Sequence, residues 1–401
     1  MDPTLLQKRM ESNLTKVTWL NFAWMFLVLM PVIVPYFQSR GLSMRDVYLL
    51  QTFFAVCMVA MEAPTGYLAD LLGRRRCLIV AGALNGVGFL WLTQAEGFWS
   101  LALFEFVVAI AQSLYSGTDV AILYDSLEAM PHRPVTAPVG QSVLGKRVFS
   151  AQLGETIAAL VGGWVAMVSF SATAWVSAAA ACVPFFIALT LTEPPRAKLD
   201  ARAHLQNLAE IARELFRASP LLRQLLWNHV FFGFTTLLAV WVFQDYWRAL
   251  GVPIGYFGYL WAGYNLAVAL TARVAHRWES HWSVRRAAFW IGMLSVAGYV
   301  GMACFTGAIG VLAGLCFQVS RGFNQVILRD AINVRVKASM RATANSVASL
   351  GSRLVFAAVG PFFGALVDSR GHGTAFAAAA VGVALVGGIS VFLLAKPRRA
   401  G

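Results

Sequence analysis

Gly66-Tyr67-Leu68-Ala69-Asp70-Leu71-Leu72-Gly73-Arg74-Arg75-Arg76 is the stretch that decides how the rest of the chain is read. It holds an acid, two glycines and three consecutive arginines. Upstream, Val47 to Ala63 is apolar except for a few polar side chains and the single charge of Glu62. Downstream, Cys77 to Leu92 carries no charge. A tight, strongly basic turn between two runs of near-membrane length reads as a cytoplasmic loop between spanning helices.

Composition extends that reading to the whole chain. Of 401 residues, 58% are hydrophobic and 13% charged, and mean hydropathy is +0.65. A soluble domain carries about 25% charged residues, so much of this surface faces lipid and not water. The net charge of +13 sits in short loops between apolar runs, which suits membrane orientation and not a nucleic acid partner. Cys57, Cys77, Cys182, Cys304 and Cys316 lie in or beside apolar runs without CxxC spacing, and are expected to be buried structural thiols. No cofactor and no metal site is expected. The first apolar run lacks a cleavage site and is read as a retained helix.

Twelve apolar segments are expected, over 17–38, 46–68, 77–94, 98–127, 143–168, 172–192, 221–246, 255–275, 287–306, 309–329, 342–367 and 374–395. The runs are too long and too uniformly apolar for barrel strands. With the N-terminus inside, the outer face holds only Arg40, Arg45, Arg248 and Arg370. Arg321 and Arg353 fall within helices, and the remaining basic residues lie on the inner side. This asymmetry places both termini in the cytoplasm of a cell's inner membrane.

Three parts follow. Residues 1–192 form a first six-helix half and 221–401 a second. Residues 193–220 form a cytoplasmic linker, where Leu205, Leu208, Ala212, Leu215 and Phe216 recur at helical spacing as an amphipathic helix. An internal repeat supports the division. At an offset of 205 residues, Gly117, Ile122, Leu123 and Asp125 match Gly322, Ile327, Leu328 and Asp330.

The stretch Gly66–Arg76, in this setting, resembles the signature loop between helices two and three of the major facilitator superfamily. The resemblance implies an all-α membrane protein with twelve transmembrane helices in two pseudo-symmetric six-helix halves. Three patterns depart from the family. Leu71 stands where a basic residue is common. Glu105 and Ala109 stand where proton antiporters carry Arg and Gly. Ala158-Ala159-Leu160-Val161-Gly162-Gly163 lacks that subset's Gly-Pro, while Gly360-Pro361-Phe362-Phe363-Gly364 occurs in helix eleven.

Charges within the spans are the candidates for chemistry, because each costs about 2.5–3.5 kcal/mol or more in a bilayer. They sit on helices two, four, five, ten and eleven, and the resemblance implies that these line a central cavity. Glu62, Glu105 and Glu155 are proton-coupling candidates. Glu62, Gly66 and Asp70 share one helix face, and Glu105, Gln112 and Asp119 form a stripe on helix four. Arg321, Arg353, Gln318, Asn324, Gln325 and Asn345 are candidates for lining a substrate cavity, with Glu155 and the two arginines placed to pair across the halves. Asp119 and Asp125 are expected to pair with Arg147 or the Arg74 cluster as inner-gate ion pairs. The resemblance adds Gly66, Asp70, Gly73 and Arg74 as an inner latch, with Asp70 near the start of helix eleven around Arg341.

The expected function is secondary active transport by alternating access, with proton-coupled efflux of a small organic compound. The expected partners are the lipid bilayer, a small-molecule substrate and protons, with the protein a monomer. No GxxxxGK[ST] loop points to ATP, and no enzyme constellation is present. Two alternatives stay open. One is a proton-symporting importer of a small organic anion or metal chelate, suited by Arg321 and Arg353. The other is a non-transporting receptor or assembly subunit.

Overall fold

Helix breaks, and the residues that cause them, organise the molecule. The computed structural model describes residues 3–130, 137–195, 219–279, 282–337 and 340–394. The amphipathic helix expected within the linker lies outside the described residues.

The first segment is not one run. Helix α1 (Pro3–Trp24) begins well before the apolar stretch, and α2 (Ile33–Ser39) follows a single 3-10 turn at Met30–Val32. Pro31 lies at the start of the 3-10 turn and Pro35 in the first turn of α2, positions where a missing N–H costs no intrahelical hydrogen bond. The polar start of α1 is held by side chains. Asn13 donates to Ser126 Oγ (3.1 Å) and to the Thr192 carbonyl (2.7 Å), and Lys16 donates to the Thr190 carbonyl (2.7 Å).

Helix α3 (Met44–Leu72) continues through Pro64, and the Thr65 hydroxyl donates back to the Met61 carbonyl at 2.7 Å. Gly73, at φ 102°, then turns the chain directly into α4 (Arg74–Leu92). The fourth segment is also interrupted: α5 (Gly97–Tyr115) and α6 (Thr118–Glu128) meet at Gly117. Next come α7 (Ala137–Val168), α8 (Phe170–Leu189), α9 (Pro220–Ala249), α10 (Phe257–Glu279) and α11 (Val284–Cys304). The tenth segment comprises α12 (Gly307–Ala313), α13 (Leu315–Phe323), a π-helical turn (Asn324–Leu328) and α14 (Arg329–Asn333). The irregular backbone at Gly117 and at 324–328 falls within the two repeated motifs. The final helix, Arg341–Leu393, is divided at Gly371. We label its parts α15 (341–370) and α16 (372–393).

Among the described residues, nine helical stretches are long and apolar enough to cross a bilayer, and one of these, Thr343–Leu393, contains both α15 and α16. The interrupted first segment and α10 are the remaining two, which is consistent with twelve crossings. Among the described residues the regular structure is helical throughout, in runs long and apolar enough to cross a membrane.

Two compact units are present. One comprises Met1–Gly41, Phe53–Ala203 and Ile254–Ala262; the other comprises Leu42–Thr52, His204–Pro253 and Gly263–Gly401. In the first unit, small residues let helices approach closely, as expected where packing and not water drives association. A Cβ on Gly82 of α4 would meet the Phe185 backbone of α8 at 2.7 Å, and one on Gly154 of α7 would meet the Phe22 carbonyl of α1 at 2.5 Å. Val17, Leu20, Trp24, Leu78, Leu114 and Ile122 form its inner core.

In the second unit an aromatic core joins Phe243, Trp247, Tyr264, Tyr299 and Phe317. Tyr48 is wholly buried there, donates to the Leu238 carbonyl (2.6 Å) and packs on Phe356 and Phe363. Asp368 accepts from the backbone N–H groups of Met44 (3.0 Å) and Arg45 (2.8 Å), the first two residues of α3. The cysteines depart from expectation. Cys57 and Cys77 are buried, but Cys182 and Cys316 are half-buried and Cys304 is exposed. Cys304 ends α11, beyond the packed part of that helix.

Candidate functional site

The signature stretch is built around its second glycine. At φ 102° Gly73 sits where an L side chain is strained, and a Cβ there would come within 2.9 Å of Glu193 Oε1. That closeness brings the Glu193 carboxylate over the start of α4. Its two oxygens accept from the backbone N–H groups of Arg74 (2.8 Å) and Arg75 (2.7 Å). A carboxylate placed on the first free donors of a helix satisfies them and meets the positive end of the helix dipole. The Arg75 guanidinium donates to the Leu189 carbonyl (2.9 Å), and Arg74 Nε lies 3.5 Å from Asp125 Oδ2.

A second ion pair lies on the neighbouring helices. Arg147 of α7 donates from Nε to Asp119 Oδ2 at 2.6 Å, and its Nη2 also contacts that oxygen. The Asp119 side chain is fully buried, while that of Arg147 is 25% exposed. Gln112, one helical repeat back, accepts from Trp24 Nε1 (2.8 Å), and the Trp24 ring stacks on Tyr115 at 3.8 Å. Thus Arg74–Asp125 and Arg147–Asp119 unite four of the residues that the sequence grouped. Gly66 is exposed on α3. Asp70 is helical, but its side chain lies outside the described set.

The three candidate carboxylates have different surroundings. Glu62 is exposed on α3, and Glu105 is buried at 4% exposure on α5. Glu155 is half-buried on α7 and accepts from Trp261 Nε1 at 3.3 Å, within the same unit. Sequence reasoning does not single out Trp261.

In the second unit the candidates separate into two groups. At the start of the π-helical turn, Asn324 Oδ1 lies 2.9 Å from His229 Nδ1, and the Asn324 amide donates to the His229 carbonyl (3.2 Å). Because Asn324 Oδ1 can only accept, the amide orientation makes the His229 Nδ1 a donor. Ser352 of α15 donates to the next carbonyl, Val230 (3.0 Å). Gln318 is buried and Arg321 and Arg353 half-buried, while Gln325 is exposed. Asn345 does not join Asn324. It accepts from Arg329 Nε (3.2 Å) and donates to Asn333 Oδ1 (3.1 Å) and the Arg341 carbonyl (2.9 Å). Arg341 in turn donates to the Asn333 carbonyl (2.9 Å). His229 escapes the sequence reading, and its only signal is an imidazole deep in the apolar run of α9.

The Major Facilitator Superfamily model matches residues 18–358 of this chain. No curated protein sequence matches it. Among solved structures, the chain is similar to the nucleoside transporter NupG, with TM-score 0.78, 12% identity and coverage of 96% of this chain and 99% of that one. It is also similar to a D-xylose-proton symporter (TM-score 0.67, 15% identity, 95% and 96% covered). A bacterial homolog of the human lysosomal transporter Spinster, inward-facing and unoccupied, gives TM-score 0.69 at 17% identity, with 97% and 95% covered. At these identities the likeness is one of fold.

Proposed function

We propose a specific transport mechanism for this chain, which belongs to the major facilitator superfamily. As a family member it is a multi-pass membrane transporter and not an enzyme. Our reading is alternating access coupled to a proton gradient, exporting a small organic compound. The observation that carries it is the retention of Glu105, buried, and Glu155, half-buried, on α5 and α7, which are long and apolar enough to cross a bilayer. A carboxyl at such a site is costly unless it is used. Coupling requires a group that takes up a proton in one state and releases it in the other, and Glu62 is the third candidate.

The same reading assigns residues 1–192 and 221–401 to two rocking halves joined by 193–220. It sets both termini in the cytoplasm of the inner membrane and makes the monomer the working unit. The basic loops support that orientation. Gly66, Asp70, Gly73, Arg74, Asp119, Asp125, Arg147 and Arg341 are the proposed inner gate. The Arg74–Asp125 and Arg147–Asp119 pairs support it by fixing α4 and α7 to α6 within the first half. Gln318, Asn324, Gln325, Asn345, Arg321 and Arg353 remain the proposed lining of the substrate path.

The half-buried Arg321, with buried Gln318 and Asn324 on the same segment, favours a second reading: symport of a small organic anion or metal chelate. Flux of a compound panel in proteoliposomes under an imposed pH gradient separates the readings. Export-type exchange against protons, lost in one or more of Glu62→Gln, Glu105→Gln and Glu155→Gln, supports the first. Co-movement of an anion with protons supports the second. Gradient-independent flux, unchanged in all three variants, removes the coupling. A chain that moves nothing behaves as the receptor alternative requires.

A further inference from the structure

We propose that the groove between α11 and α16 binds one anionic phospholipid, with its phosphate at Arg285 and Arg286 and an acyl chain along the groove. The groove has a volume of about 580 Å³. Phe289, Met293 and Val296 of α11 form one wall and Val383, Val391 and Phe392 of α16 the other. Three glycines line it. A Cβ on Gly292 or Gly387 would meet the buried Phe232 ring at 3.1 or 3.3 Å, so bare glycines let both walls close on that ring beneath the groove. Gly388 has open space where its Cβ would be.

The length matches a lipid monolayer. From Arg285 to Val296 the helix rises about 16 Å, close to half of a bilayer's roughly 30 Å hydrocarbon core. One end is polar and the other apolar along that length, which is the pattern of a phospholipid and not of a free anion.

Charge identifies the headgroup. Arg285 and Arg286 are at the mouth, and no Asp or Glu is among the described residues lining the groove. The Arg285 guanidinium lies over the Phe392 ring at 5.9 Å, which ties the cation to α16 across the mouth. Ser283, also at the mouth, uses its Oγ to accept from the Arg286 N–H (3.3 Å) and keeps its own hydroxyl proton for a phosphate oxygen. A smaller groove on the other flank of α16, between Trp227 and Ile389, has Arg223 at the corresponding end and likewise no acidic residue among those described. Basic pockets between spanning helices on the cytoplasmic side are suited to anionic lipid headgroups. The binding chemistry stands on the groove itself; only its assignment to the inner leaflet rests on the orientation proposed above.

The test uses the purified full chain in detergent, with lipid retention read by native mass spectrometry. Phosphatidylglycerol is expected to be retained about tenfold more than phosphatidylcholine, two arginines each attracting the extra negative charge. Arg285→Gln with Arg286→Gln is expected to make the two lipids equal. Gly388→Leu fills the groove without touching either arginine and is expected to lower retention of both lipids. Inorganic phosphate is expected not to compete. Equal retention of the two lipids by the parent, a preference that survives the double substitution, or displacement by inorganic phosphate would each overturn the proposal.

Discussion

Arg147 and Asp119 form an ion pair in which one partner is sealed off and the other is not: the Asp119 side chain has no exposure, whereas a quarter of the Arg147 side chain reaches the surface. The asymmetry predicts unequal costs. Replacing Arg147 with Met leaves a buried carboxylate without its cation and is expected to cost about 3–5 kcal/mol. Replacing Asp119 with Asn leaves an arginine that can extend toward solvent, so its cost is expected to be clearly smaller. Unfolding titrations in mixed micelles measure both, and equal losses would contradict the account.

Gly73 is expected to tolerate no side chain. Its φ of 102° is strained for any L residue, and the Glu193 carboxylate occupies the space a Cβ would take. Gly73→Ala is therefore expected to lose about 1–3 kcal/mol from backbone strain and also to displace Glu193. By contrast Gly66, with nothing within 4 Å of its Cβ position, is expected to accept Ala in the same unfolding measurement with a change below about 1 kcal/mol.

Glu193 itself acts through the start of α4. Glu193→Ala is expected to cost about 1 kcal/mol, as for loss of a helix cap. Glu193→Gln keeps an acceptor but loses the charge, so its cost is expected to fall between Ala and the parent. Thermal midpoints of the three proteins in one detergent order them.

Asn324 and His229 satisfy each other twice, side chain to side chain and side chain to backbone. Asn324→Leu leaves the His229 imidazole without its acceptor in a half-buried site and is expected to cost about 1–3 kcal/mol. His229→Gln keeps a donor in reach of Asn324 and is expected to cost less. Amide exchange along α9 reports the local loosening, and a fully protected α9 in Asn324→Leu would contradict the pairing.

What the sequence disclosed and what it hid follows from how far each signal reaches along the chain. Gly73 and Arg74 were legible because a turn residue and a charge cluster act locally. Asp119 and Asp125 could be matched to Arg147 and Arg74 because helix ends hold few charges to choose from. The Glu155–Trp261 and His229–Asn324 contacts were not legible, since the partners are 106 and 95 residues apart and a Trp or His in an apolar run gives no sign of its neighbour. The break in the first segment was signalled by Pro31 and Pro35, but apolar patterning continues through it. The π-helical turn at 324–328 has no counterpart in hydropathy, because lengthening one turn leaves composition unchanged. The partners of Asn345 were hidden for a related reason: its hydrogen bonds to Arg329, Asn333 and Arg341 depend on where two helix ends meet, which depth along a helix does not give.

The central claim is that carboxylates within the apolar helices couple transport to protons, and the half-buried Glu155 offers the cleanest test. Its hydrogen bond from Trp261 survives in Glu155→Gln, because the amide oxygen still accepts, so folding and local geometry are kept while the titratable group is lost. The measurement is proton movement into proteoliposomes, followed with an internal pH-sensitive dye, on adding a transported compound to parent, Glu105→Gln and Glu155→Gln proteins. The account predicts a compound-dependent pH change in the parent that is abolished in at least one of the two variants. A compound flux that persists in the parent without any proton movement would contradict it.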